Sequence, residues 1–252
     1  FSLLGYVAGF QGQFDRSLKL FTEFYQEGLS QNHVQHQAMG LISQAWVLWM
    51  RGQFAEVIAL LERAQPLFAM STGTAFVESA AYGWLASIYL RQGQHSQAEQ
   101  TATKAAELLA KAPMPFYNHV LTHANIAEVF LALWEKEQQQ KSRAAEFKAK
   151  ARKACRALHG LLRWYPLAEP GAWLWQGVYD WQDGKPDRAR QSWQKSLAAA
   201  QKFAMSYDEA LAYEAIGQHA TGAEREATLA RAREIFYRLG VIGLDAPSAP
   251  VE

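Results

Sequence analysis

Length, composition and charge narrow the classes to which this chain can belong. Half of its 252 residues are hydrophobic, which is enough for a sizeable core, and its 25 basic and 24 acidic side chains nearly cancel. Overall charge therefore favours neither nucleic acid nor an anionic membrane as a partner. The one cysteine excludes an intrachain disulfide, and no run approaches the roughly 20 apolar residues of a membrane-spanning helix. We expect a soluble, cytoplasmic protein.

Apolar residues recur at helical spacing along most of the chain, and glycines interrupt them at intervals. No segment alternates in the manner of a strand, so the prediction is all-α. Five of these glycines are interpreted as the turns of helical hairpins. The predicted hairpins, in chain order, are 1–30 around Gly12, 33–70 around Gly52, 75–112 around Gly93, a degenerate unit over 117–166, 171–203 around Gly184, and 207–239 around Gly222.

Several residues are expected to end helices. Gly28 is predicted to end the second helix of the first hairpin and Gly240 to end the last helix, because glycine tolerates a left-handed cap. Pro113 and Pro115 lack the backbone N–H that a helix needs, so they close the third hairpin. The Pro- and Ala-rich residues 244–252 are predicted to be a flexible tail.

Small residues stand at fixed offsets from the turns, which is what two closely packed antiparallel helices require. Seven residues before the turn glycines come Gly5, Ala45, Ala86, Gly177 and Ala215. Five residues after them come Ser17, Val57, Ala98, Ala189 and Ala227. In the degenerate unit, Ala127 and Ala154 hold the corresponding places.

These small residues, with Phe14 and Phe54 following the turn glycines, resemble the tetratricopeptide repeat (TPR) over nearly the whole chain. The turns are about 40 residues apart, against 34 in the standard repeat, and His95 and Pro186 replace the turn aromatic in two units. The resemblance implies a right-handed α-solenoid of about six TPR-like hairpins over residues 1–243. Such modules bind other proteins, and we expect no catalysis, metal or cofactor.

Longer, degenerate repeats of this kind also resemble the C-terminal sensor regions of bacterial signalling ATPases, nucleotide cyclases and transcription regulators. Residues 232–240 are similar to the last helix of those regions. The chain starts at Phe1, without methionine and inside a helical run, so we expect a further domain upstream. A regulatory role in a larger signalling protein is therefore the alternative to a free-standing interaction module.

Residues that could carry chemistry are few. His119 and His123, and likewise His33 and His36, could share a helix face, but no further ligand at a suitable spacing completes a zinc site. Cys155 lies in a predicted helix, where a lone cysteine is usually a packing residue. Phosphate-binding glycine loops are absent from the sequence. These patterns predict neither a metal site nor a nucleophile.

A basic hairpin is predicted over about 135–156, where the degenerate unit has about 15 residues more than the others. It is interpreted as an extended, solvated hairpin, and binding of an acidic partner or of phosphates is the alternative. Nucleic acid is disfavoured because interleaved aromatic side chains are missing. The candidate residues are Lys148, Lys150, Arg152, Lys153 and Arg156.

The excess of aromatic residues, which include nine tryptophans, is the stronger functional signal. In TPR stacks the first helix of each unit lines the concave face, so the resemblance assigns a concave set to this chain. That set could bind a peptide, a partner helix or an apolar ligand, or its rings could instead fill the middle of a tightly wound stack. The concave set is Tyr6, Phe10, Trp46, Trp49, Met50, Arg91, Glu128 and Trp181.

Overall fold

The computed structural model describes residues 2–70, 75–111, 117–140 and 143–242. Within these ranges the chain forms twelve α-helices and one 3₁₀ turn, Pro166–Ala168, and contains no strand, which confirms the all-α prediction. The predicted tail 244–252 and the prolines Pro113 and Pro115 lie outside the described residues. The helices are α1 Ser2–Phe10, α2 Phe14–Ser30, α3 Val34–Met50, α4 Phe54–Met70, α5 Ala75–Arg91, α6 His95–Lys111, α7 Tyr117–Gln140, α8 Ala144–Gly160, α9 Glu169–Gln182, α10 Pro186–Lys202, α11 Ser206–His219 and α12 Gly222–Arg238.

Glycine forms the tight turns inside the helix pairs, as the sequence predicts. Gly12, Gly52, Gly93 and Gly184 have φ between 72° and 78°, a left-handed conformation that glycine adopts without steric cost. The next N–H then bonds back to a carbonyl of the preceding helix, as when Gln53 donates to Leu48 at 3.0 Å. This pattern satisfies carbonyls that the helix end would otherwise leave unpaired.

The predicted close approaches occur where small residues face each other. The Ser17 hydroxyl donates to the Gly5 carbonyl at 2.8 Å, which joins α1 to α2. At Gly177, a Cβ atom would collide with the indole of Trp193, so only glycine lets α9 lie this close to α10. Ala45, Ala86, Ala98 and Ala189 are likewise fully buried. In these pairs, side chains of one helix lie directly against the backbone of the other.

Two sequence predictions fail at helix ends and turns. Gly28 does not end α2, which continues to Ser30, and the left-handed position falls on Asn32 with φ of 53°. Gly222 starts α12 itself, so the last hairpin is displaced by two residues: Gly217 faces Leu229, and the expected partner Ala227 is exposed.

Helices from the beginning and from the end of the described chain share one hydrophobic core. One cluster of buried side chains joins α1–α5 to α11 and α12, through residues such as Trp46, Tyr207 and Phe236. A second cluster joins α5–α9. The last two helices therefore share a core with the first ones, although the rest of the chain lies between them in sequence.

In the described part of the chain, none of the helices combines the length and apolarity needed to cross a membrane.

Candidate functional site

The structure brings half of the concave set to one place, which we call the central cavity. Phe10 of α1 and Trp46, Trp49 and Met50 of α3 line it, and residues of α5, α7, α9 and α11 complete most of the lining. Its volume is about 60 Å³, well below the roughly 300 Å³ at which small-molecule sites begin. The residues that complete the lining are Gly9, Trp84, Leu121, Ala124, Asn125, Gly171, Leu174, Trp175, Tyr207, Asp208 and Leu211.

Ring packing accounts for the small size of the cavity. Trp46 is 1% exposed and stacks on Tyr6 with ring centroids 5.1 Å apart, and the centre of the Phe10 ring lies 5.0 Å from that of Trp46. The Tyr6 hydroxyl is hydrogen-bonded to Ser43 at 2.6 Å. Tyr6, Trp46 and Met50 are thus core residues in this conformation, and the rings largely fill the middle of the stack.

The charged members of the concave set neutralise each other beside the cavity. Arg91 and Glu128 form a bidentate ion pair, with N–O distances of 2.8 and 3.3 Å. The Trp49 indole N–H donates to the Ser87 hydroxyl at 3.2 Å, and that hydroxyl donates to Glu128 at 2.9 Å. The Arg91 guanidinium also lies 5.0 Å from the centre of the Trp49 ring. This network ties α3, α5 and α7 together and fixes the edge of Trp49.

Unpaired polar groups remain in the lining of the cavity. The Trp84 indole N–H and the Asn125 side-chain N–H are buried without a hydrogen-bond acceptor, and these two residues are 2% and 4% exposed. Across the cavity, burial raises the pKa of the Asp208 carboxyl to about 7. Buried donors without acceptors cost free energy, so these two N–H groups are the polar groups of the lining that remain to be satisfied.

Trp181 lies apart from the other members of the concave set. Its ring packs against Trp193 at 5.9 Å and against His219 at 4.1 Å, between α9, α10 and α11. The structure therefore does not bring Trp181 to the central cavity.

The cavity includes two tryptophans that the sequence analysis missed, Trp84 and Trp175. Both stand nine residues before a turn glycine, Gly93 and Gly184. The residues of the concave set stand about six, three and two residues before their turn glycines, and an offset of nine lies on the same helix face, about one helical turn further away. Extending the pattern by this turn would have found both rings.

The segment that follows α12 contacts two of the glycine turns, and we call these contacts the clasp. The Ile242 N–H donates to the Arg51 carbonyl at 2.9 Å. A Cβ atom on Gly52 would collide with the Ile242 carbonyl, and one on Gly12 would lie 2.5 Å from the Leu239 side chain. The segment after α12 thus lies directly against the glycine turns at Gly12 and Gly52.

The candidate residues of the basic hairpin separate into two clefts on opposite sides of α8. Lys150 and Lys153 line an apolar cleft of about 480 Å³ between α6, α7 and α8, and Lys150 is ion-paired with Glu99 and Glu146. The other three, Lys148, Arg152 and Arg156, line a cleft of about 360 Å³ against α9. The hairpin itself is formed by the 24-residue α7 and by α8.

The histidines and the cysteine show packing and capping roles. Burial lowers the pKa of His119 and His123 to about 4, so both rings are neutral, while His33 caps α3 by accepting from the His36 N–H. Burial raises the pKa of the Cys155 thiol to about 12, which removes the thiolate that nucleophilic chemistry needs. Within the described residues, no three His, Cys, Asp or Glu side chains are grouped closely enough to hold a metal ion.

Comparison with known proteins places this chain in no family, because no family model and no curated protein matches it. A solved structure described as the crystal structure of BtubC (BKLC) from P. vanneervenii is similar, with a TM-score of 0.49 and 17% sequence identity. The similarity covers 95% of this chain and 97% of that chain. At this level of similarity, nothing about the present chain is inferred from that protein.

Proposed function

We propose that this chain is a right-handed solenoid of about six TPR-like hairpins that acts as a non-catalytic, cytoplasmic sensing module in signal transduction. Its ligand is a peptide, a partner helix or a flat apolar molecule, bound at the concave wall formed by Phe10, Trp46, Trp49 and Met50.

The observation that carries this proposal is that both ends of the chain line one cavity. The wall comes from α1 and α3, and Tyr207, Asp208 and Leu211 face it from α11. To admit a ligand larger than the roughly 60 Å³ now available, α11 would move away from α1 and α3 and carry α12 with it. Binding and the curvature of the stack would then be coupled, because the open form alone offers the ligand its full set of contacts.

The unpaired donors give the site its polar specificity. The Trp84 and Asn125 N–H groups would donate to acceptor oxygens of the ligand, such as peptide carbonyls, while the tryptophan rings cover its apolar part. A ligand that satisfies both donors recovers the free energy that they lose in the closed form. Small apolar molecules without an acceptor would bind more weakly.

The proposal can be tested by a substitution that fills the cavity, at a position where a side chain can be added without a clash. Gly171 lines the cavity, and a Cβ atom there has no neighbour within 4 Å. Gly160, at the end of α8, is equally open but lies outside the cavity lining, so it provides the matched control. The variants are Gly171→Leu and Gly160→Leu, both compared with the unaltered chain.

Native mass spectrometry of the three purified proteins, followed by denaturation, measures what each one retains and releases. We expect the unaltered chain and Gly160→Leu to release the same bound compound, and Gly171→Leu to release none. Retention by Gly171→Leu equal to that of Gly160→Leu, or clean masses for all three proteins, would overturn the proposal.

A further inference from the structure

A second concave site lies between α8 and α9, and we call it the α8–α9 pocket. Lys148, Arg152 and Arg156 stand four residues apart along one face of α8 and form one wall. Gln176 of α9 and Lys185, which follows α9, lie opposite them. The volume of about 360 Å³ is in the range of about 300–1,000 Å³ that small-molecule sites occupy.

The lining carries four cations and one carboxylate. Asp183 forms ion pairs with both Lys148 and Lys185 and thereby neutralises only part of their charge. Arg152 and Arg156 are exposed, and within the described residues neither has an ion-pair partner. Asp180, the other nearby carboxylate, is buried on α9. The pocket is therefore strongly positive.

This arrangement favours the binding of an anion. Like charges four residues apart destabilise a helix, and α8 places three of them in succession on one face. A multiply charged oxyanion would convert that repulsion into attraction. Each guanidinium offers a planar pair of N–H donors that matches two oxygens of one phosphate, which a lysine cannot do.

We propose that the α8–α9 pocket binds a small soluble molecule that carries phosphate groups, held by Arg152 and Arg156 and by the ammonium groups of Lys148 and Lys185. A single strand of nucleic acid fits less well, because Tyr179 is the one aromatic residue of the lining and is only 8% exposed. The pocket binds without catalysis, since the adjacent Cys155 remains a buried thiol.

Isothermal titration with inorganic pyrophosphate at constant ionic strength tests this proposal. The variant Arg152→Gln/Arg156→Gln removes two charges from the pocket. The control Lys104→Gln/Lys153→Gln removes two equally exposed charges outside it. Circular dichroism checks that both variants fold, as expected for exposed helix positions.

We expect one pyrophosphate to bind the unaltered chain, and the arginine variant to bind about 100-fold more weakly, at about tenfold per charged hydrogen-bonding group. The lysine control should stay within about threefold of the unaltered chain, since it changes net charge alone. Arg152→Lys/Arg156→Lys should recover only part of the affinity. Absence of pyrophosphate binding, or equal weakening by both glutamine variants, would overturn the proposal. The outcome is independent of the central cavity, which shares no lining residue with this pocket.

Discussion

Ala204 lies in a left-handed backbone conformation with φ of 54°, between α10 and α11. Alanine pays a steric cost of about 1 kcal/mol there that glycine avoids. The Ala204→Gly substitution is therefore expected to raise the free energy of unfolding by about 0.5 kcal/mol, after the greater chain entropy of glycine in the unfolded state is subtracted. Urea denaturation followed by circular dichroism measures the change.

The control for this prediction is the same substitution at a right-handed position nearby. Ala198 is exposed in the interior of α10, so Ala198→Gly should lower the free energy of unfolding by about 1 kcal/mol. Opposite signs for the two variants are the expected result. A loss of stability in both would show that the backbone at Ala204 is not strained.

Residue-level features were predictable from the sequence to the extent that they are local. A turn with a left-handed residue can be predicted from the sequence when that residue is glycine, as at Gly52 or Gly184, because glycine adopts a positive φ without steric cost. Asn32 and Ala204 satisfy the same requirement without that signal. Both residues are exposed, and backbone hydrogen bonds close their turns: His33 N–H donates to Gly28 and Met205 N–H to Ala200, each at 2.8 Å. A search for glycine alone therefore misplaced the end of α2.

At the scale of helices, Glu99 connects α6 to α8. Its carboxylate accepts two hydrogen bonds from the Arg143 guanidinium, at 2.7 and 2.8 Å, and one from Lys150 at 2.8 Å. The Glu99 side chain is 18% exposed, whereas that of Arg143 is 45% exposed and correspondingly screened by solvent. Glu99→Gln is expected to lower the free energy of unfolding by about 1 kcal/mol near neutral pH.

The effect of Glu99 should depend on pH in a defined direction. The hydrogen bonds from Arg143 lower the pKa of Glu99, so its contribution is complete above the ordinary carboxyl pKa. It is lost as the pH falls through the lowered value, and the two proteins should then converge. Glu107→Gln on the same helix has no ion pair within the described residues, so it should change stability by less than about 0.5 kcal/mol at any pH. Equal effects of the two substitutions would contradict the role of Glu99.

The contacts within each helix pair were predictable because they depend on short sequence offsets from the turn. The prediction failed at α11 and α12, where the turn is different. Between α11 and α12, Ala220 and Thr221 replace the longer glycine turn, so facing positions shift from 215 and 227 to Gly217 and Leu229. The distance of twelve residues between the partners is kept. Counting offsets from Gly222 was wrong for this hairpin, although a small residue does face the partner helix at Gly217.

At the scale of the whole molecule, closure of the stack could not be predicted from the sequence. Contact between the end of the chain and the turns at Gly12 and Gly52 depends on the sum of the small rotations between successive helix pairs. An error of a few degrees at each pair would separate the ends. The concave set was therefore predicted from the repeat, whereas the placement of half of it around a cavity of about 60 Å³ depended on curvature.

The central claim is that the clasp holds the concave wall closed, and small-angle X-ray scattering on a pair of double variants tests it most directly. A Cβ atom on Gly12 or Gly52 would meet Leu239 or Ile242, whereas at Gly93 and Gly184 it has no neighbour within 4 Å. All four glycines have φ between 72° and 78°, so each alanine adds a similar backbone strain of about 1–2 kcal/mol.

We predict that Gly12→Ala/Gly52→Ala increases the radius of gyration above that of the unaltered chain, because α11 and α12 separate from α1 and α3. Gly93→Ala/Gly184→Ala should leave the scattering curve unchanged, although it lowers stability to a similar degree. Superimposable curves for all three folded proteins would contradict the clasp, and with it the coupling of ligand binding to curvature.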